Sequence, residues 1–381
     1  MKRLILVVAL VFLSGTMVQN WAQDNSDVNK RLNDLEKTVQ SFRAGTHRFM
    51  LAGLAQTSFI KEEGAPSTIE TAFEPIFLYR ATDKILFEGE IEAEIEDGGQ
   101  NFNLEYGQFI YIVNDYLTFG AGKFLNPANY FMERLHPAWI NKMPDKPFFV
   151  HEETTIQAPT HIGFELRGAA PINSAKIEYA AFLGNGPVLN PNDGTVSFKN
   201  YGDNNSNKVI GGRVSFLPIP QMEIGYGLEV ARTGDRDTPL RDVKAVNNAV
   251  DFTFTDEVPG LKGGIDVRAQ AVWLTIDNPN MGALTFDNTS VGGYGQIAYH
   301  PYNANNNFFK NLEFVYRFDW SNQPDNAPNN LEMKRSGFGL NYWLTSSSEL
   351  KFAYETNNIT SPDGTVDDTE NRFIAQVALG F

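Results

Sequence analysis

A two-residue rhythm restricts this chain more than any other feature. From His47 onward, apolar and polar residues alternate in segments of about ten residues separated by turn formers, which is the length and pattern of strands that cross a bilayer. The clearest segment runs from Lys84 to Asp97. Ile85, Phe87, Gly89, Ile91, Ala93 and Ile95 fall on one face, and Leu86, Glu88, Glu90, Glu92, Glu94 and Glu96 on the other. One side suits hydrocarbon and the other suits water. The stretch from Asn311 to Trp320 repeats the arrangement, with Leu312, Phe314, Tyr316, Phe318 and Trp320 opposed to Glu313, Val315, Arg317 and Asp319. Followed along the chain, the rhythm predicts sixteen strands: 47–60, 71–80, 84–97, 102–113, 115–124, 161–168, 174–183, 208–216, 221–231, 244–254, 263–275, 289–299, 310–320, 332–343, 349–356 and 370–381. The first, second, fourth, tenth and twelfth are weakly patterned. The expected fold is therefore an all-β, antiparallel transmembrane barrel occupying residues 46–381.

The connections provide a check independent of hydropathy, because bacterial barrels have short periplasmic turns and long extracellular loops. If the chain enters from the periplasm, connections 81–83, 114, 169–173, 217–220, 255–262, 300–309 and 344–348 belong to the periplasmic side. The long ones, 125–160, 184–207, 232–243, 276–289, 321–331 and 357–369, belong outside. Long and short alternate almost throughout, the exceptions being a short third connection and a long turn after His300. A soluble β-sandwich has no reason to alternate in this way.

The first residues point to export. Lys2 and Arg3 precede an apolar run from Leu4 to Leu13 and a more polar stretch ending near Ala22, the layout of a secretory signal peptide over residues 1–23. The run is shorter than the roughly 20 residues a membrane-spanning helix requires. Next, Val28, Leu32, Leu35, Val39 and Phe42 recur at alternating steps of four and three. That spacing predicts a heptad helix over 24–45, either a small periplasmic coiled coil between protomers or an amphipathic helix lying on the barrel.

Composition removes several function classes. There is no cysteine, hence no disulfide, thiolate metal site or lipid-modified cysteine. A net charge of −15 argues against nucleic acid as a partner, since phosphates need basic surface. That acidity would suit a face beside lipopolysaccharide, or ordinary solubility. His47, His136, His151, His161 and His300 show no metal spacing, and neither GxSxG nor HExxH is present, so no catalytic site, metal or cofactor is expected.

The final strand places Phe373, Ala375, Val377, Leu379 and Phe381 on one face and Arg372, Gln376 and Gly380 on the other. An alternating strand with a terminal aromatic resembles the segment read by the outer-membrane assembly machinery. The connection 125–160 is the longest, and its Pro127, Tyr130, Phe131, Trp139, Pro144, Pro147, Phe148 and Phe149 suit packing rather than solvent. Here the chain resembles the sixteen-stranded porins. The stretch Gly122, Lys123, Phe124, Leu125, Asn126, Pro127, together with the heptads and the last strand, resembles most the phosphate-selective porin O and P family. The resemblance implies a trimer, a water-filled pore for small hydrophilic solutes, and a third extracellular loop folded inward as a constriction.

That family concentrates basic residues at the constriction, and this chain departs from it. The constriction region offers Lys123, Arg134, Lys142 and Lys146, but also Glu133, Asp145, Glu152 and Glu153. By strand parity the pore wall carries Arg80, Arg167, Arg213, Arg268, Arg317, Arg335 and Arg372 against the ladder Glu88, Glu90, Glu92, Glu94 and Glu96. If Arg134, Lys142 or Lys146 faces the ladder, a transverse field follows, and the dense acidic strip predicts weak cation preference. The readings carried forward are a general porin, an anion- or phosphate-selective porin, and a structural barrel tethered by its periplasmic helix.

Overall fold

The structure is a computed structural model and describes residues 48–96, 98–151, 154–199, 201–324, 327, 330–361 and 364–381. The chain divides into two compact units, 1–50 and 51–381, and the account below concerns the second. The expected signal peptide and heptad helix lie outside the described residues.

Sixteen antiparallel strands form one closed barrel. They are β1 (Phe49–Glu62), β2 (Ser67–Arg80), β3 (Ile85–Glu96), β4 (Gly99–Asn114), β5 (Leu117–Leu125), β6 (Thr160–Ile172), β7 (Ala175–Asn185), β8 (Lys208–Ile219), β9 (Met222–Arg232), β10 (Lys244–Val258), β11 (Gly263–Ile276), β12 (Asn288–His300), β13 (Leu312–Asn322), β14 (Glu332–Thr345), β15 (Ser348–Thr360) and β16 (Asp367–Gly380). Each strand pairs with its sequence neighbours, and β16 returns to β1 with Leu54 opposite Gly380 and Glu62 opposite Arg372. Closure matters because hydrocarbon supplies no hydrogen bonds, so a spanning sheet cannot leave an edge. No helix among the described residues is long and apolar enough to cross a membrane.

All sixteen expected strands are present, and most are longer than the alternation showed. The clearest case is β15–β16, where the expected loop 357–369 is largely strand and pairing continues to Thr360 opposite Asp367. Near that rim both faces meet water, so the sequence there has no apolar face and no rhythm. The outward positions form an apolar surface that includes Phe109, Phe164, Tyr226, Phe314 and Phe352. Neighbouring strands lock it with ring contacts such as Phe119 on Phe164 and Tyr316 on Phe338, at centroid distances of 5.9 and 4.9 Å. The last residue completes the seam: Phe381 and Gly53 exchange backbone hydrogen bonds of 2.9 and 3.0 Å, and the Phe381 ring stacks on Phe73.

Candidate functional site

The connection between β5 and β6, residues 126–159, enters the barrel, and its side chains meet the inward faces of most strands. Its base is fixed by a polar cluster. Asn126 donates to the Ala158 carbonyl and to Glu229 Oε1 on β9, at 2.8 and 2.9 Å. Gln157 donates to the same oxygen at 3.1 Å, and His161 Nε2 lies 2.9 Å from Glu229 Oε2. Just before the base, Gly122 has φ +140°, and a Cβ there would stand 2.3 Å from the Gly107 carbonyl oxygen. Only glycine suits that turn of the β5 end.

Beyond the base, a short helix, α1 (Tyr130–Arg134), starts at Asn129, whose side chain accepts from the Met132 amide. Tyr130, Phe131, Met132, Leu135, Phe149, Val150 and Ile156 then pack on Ala245 and Ala249 of β10, Val272 and Leu274 of β11, and Tyr294 of β12. Burial of such side chains contributes roughly 1.5–3 kcal/mol each, so this apolar contact outweighs any single polar one in seating the loop. The wall makes room for it: a Cβ at Gly292 would lie 2.7 Å from Ile156 Cδ1 and 2.8 Å from Phe149 Cβ.

The tip is held by charge. Asp145 meets Arg317, Arg335 and Arg372, from β13, β14 and β16. Arg317 also donates to the Asp145 backbone carbonyl at 2.8 Å and Arg335 to that of Lys146 at 2.7 Å. Asp319 closes the array, accepting from both arginines and from the Phe148 amide, and Glu355 takes Arg372 at 2.7 Å. Three guanidiniums thus face three carboxylates. The surrounding arginines hold the Asp145 carboxyl well below the usual carboxylate range, despite a burial that opposes ionisation.

The other residues singled out by sequence fall into separate places. Arg213 is buried against Asp251 and Glu223. Arg134 bridges Glu133, Glu178 and Glu223, and Arg167 pairs with Glu133 and Glu165. Arg268 pairs with Asp266 at 2.7 Å and donates to the Ile140 carbonyl. Lys142 pairs with Glu313, and the Lys142 carbonyl accepts from Asn341. Arg80 folds back on Asp83 in the turn after β2, at the rim. Lys123, expected at the constriction, lies within β5, where it donates to the Leu104 carbonyl and has Glu105 and Glu92 as its charged neighbours.

The acidic ladder on β3 lies apart from these ion pairs. Glu88 accepts from Gln108 at 2.8 Å, Glu90 is buried, and Glu92 and Glu94 line a cavity of about 50 Å³ with Glu74, Gln56, His136, Ala138, Asn141, Pro144 and Lys146. Of the three loop cations expected to face the ladder, only Lys146 does, and Glu92, Glu105, Glu74 and Glu94 push its ammonium pKa upward. Arg134 and Lys142 are turned to other carboxylates.

Sequence reading placed Asp319 on the polar face of its strand without giving it a role, and it missed the roles of Glu355, Glu229 and Glu74. Glu74 carried a usable signal, since it shares the inward parity of Arg80 in β2. The register set by Phe73 opposite Ala93 and Ile76 opposite Glu90 brings it across from Glu92.

No protein-family profile matches the chain, and no curated protein matches it in sequence. Solved structures do. OprB of Pseudomonas putida covers 91% of this chain and 97% of its own at 9% identity and a TM-score of 0.59. The outer membrane channel DcaP of Acinetobacter baumannii covers 87% and 97% at 11% identity and a TM-score of 0.56. An anion-selective porin from Comamonas acidovorans covers 87% and 99% at 9% identity, also with a TM-score of 0.56. At such identities the likeness is one of fold. The chain has the fold of the sixteen-stranded bacterial outer-membrane porins.

Proposed function

We propose that this chain is a bacterial outer-membrane porin that passes small hydrophilic solutes and ions through a lumen narrowed by the loop 126–159. The observation that carries the reading is a barrel apolar outside and ionic inside, with one connection folded into its interior and bonded to the wall. Similar outer-membrane channels and porins support it at the level of fold. A barrel serving only as an anchor needs no rows of inward carboxylates and guanidiniums, which cost desolvation wherever they are packed.

Anion or phosphate selectivity is the less favoured alternative. The arginines that would attract an anion are spent: Arg213, Arg317 and Arg335 are buried within ion pairs. The ladder from Glu88 to Glu96, with Glu74 and Glu105, faces Lys146, Lys123 and, at Glu88, Arg167, fewer cations than carboxylates, which favours cations. A homotrimer belongs to the proposal, with the heptad segment as a contact between protomers and the last strand as the signal read by the assembly machinery. Among similar folds, OmpT of Vibrio cholerae has a trimer form. Purified, folded protein added to a planar bilayer should give discrete, steady conductance steps. Their absence from protein that shows heat-modifiable gel migration would leave only the anchor.

A further inference from the structure

We propose that Glu74, Glu92 and Glu94 form a site for one hard divalent cation, Ca²⁺, between the β2–β3 wall and the inserted loop. One carboxylate oxygen from each lies within 4.8 Å of the others, close enough for a single ion bound at roughly 2.3–2.6 Å. The register explains the convergence. Glu74 and Glu92 face each other across the β2–β3 ladder, and Glu94 is the next inward residue, opposite Ala72. Glu74 is 6% exposed, so its charge is not simply dispersed in bulk water. Three carboxylates gather here beside Lys146, and Lys123 of β5 acts on Glu92 as well. Were all three ionised, carboxylate charge would exceed ammonium charge in this half-closed cavity, and like charges so placed repel strongly unless a cation or protons intervene.

A second observation comes from the loop. His136 lines the same cavity and is 8% exposed. Its Nδ1 is bonded to the Met132 carbonyl oxygen, which can only accept, so Nδ1 carries the proton and Nε2 carries the lone pair. That Nε2 is buried without a hydrogen-bond partner. Burial and the nearby Lys146 bring the imidazole pKa down to about 4, so the ring is neutral near pH 7. His136 stands outside the group of three oxygens, so its place in the proposed site is as acceptor from a water on the ion rather than as a ligand. A cavity of about 50 Å³ exceeds the roughly 10–15 Å³ that holding one water requires, and so has room for an ion with a bound water. Oxygen-only ligation by long, flexible side chains selects Ca²⁺ over softer metals and over Mg²⁺, which demands stricter geometry.

The inference rests on the fold and the loop position, and conductance enters neither it nor its test. Protein refolded in non-ionic detergent, free of lipopolysaccharide, is titrated with CaCl₂ at pH 7 by calorimetry. One Ca²⁺ per chain is expected, with a dissociation constant of roughly 10⁻⁴–10⁻³ M, the range of weak extracellular sites. The isotherm should be lost in Glu74→Gln/Glu92→Gln and kept in Glu332→Gln, which alters an exposed pair at a strand end. Heat-modifiable migration checks that each variant folds. Should the double variant fail to fold, diffraction from wild-type crystals grown in CaCl₂ decides, with an anomalous peak expected between the three carboxylates. No Ca²⁺ bound by the wild type at millimolar concentration, an unchanged isotherm in the folded double variant, or a peak elsewhere overturns the proposal.

Discussion

At Asp145 one loop carboxylate receives guanidiniums from three strands, and the sequence separation from Arg317, Arg335 and Arg372 is the reason this arrangement was illegible beforehand. Sequence reading counted Asp145 only as a subtraction from the loop's positive charge. Its role depends on which inward arginines the loop reaches, and no local spacing encodes that. Removing one partner of a buried ion array costs roughly 3–5 kcal/mol because the remaining charges stay buried. Asp145→Asn leaves three guanidiniums against Asp319 and Glu355, so the tip should detach while the base at Asn126, Gln157 and Glu229 stays in place. Single-channel recording should then show larger and noisier steps than the wild type; unchanged steps would mean that the tip does not narrow the path. The pH behaviour has a definite sign. The folded-state pKa of Asp145 is depressed, so its contribution is present above the unfolded value of about 3.9 and is lost only as pH falls through the lower folded value. Step size should therefore hold steady between pH 7 and pH 4.

Among the elements, the strands that could be read were those with one face in lipid and the other in water, β3, β13 and β16 above all. The weakly patterned β10 and β12 have a physical explanation. Their inward positions include Ala245, Ala249 and Tyr294, which pack against the loop's aromatic residues, so both faces are apolar over part of their length. The amount of Pro and aromatic residue in 126–159 announced a packed loop but could not say against which strands. Strand ends were missed at the wet rim for the same reason that loops are hard to delimit: polarity without alternation carries no period. The heptad segment 24–45 remains an element known from sequence alone. If it joins protomers, deleting 32–42 should convert the oligomer seen by crosslinking or native mass measurement into monomers, and an unchanged oligomer would remove the helix from that role.

For the whole molecule, what matters is where opposite charges cancel and where they do not. Around the loop tip and near Arg134, Arg167 and Arg213, basic residues are matched or outnumbered by the carboxylates they touch. Along β2 and β3 the carboxylates outnumber the cations beside them, Lys146, Lys123 and Arg167. Under the proposed function, a solute in the lumen would meet an excess of carboxylates on one wall, at distances where a Debye length of about 8 Å leaves screening incomplete. Selectivity was the property least legible in sequence, since parity placed seven arginines inward without showing that most are already paired. The most direct measurement is the reversal potential of the reconstituted protein across a KCl gradient in calcium-free buffer, before and after replacing Glu88, Glu90, Glu92, Glu94 and Glu96 by Gln. The account predicts a weak cation preference that moves toward neutrality on replacement. An anion preference in the unmodified protein, or no change on replacement, would contradict it.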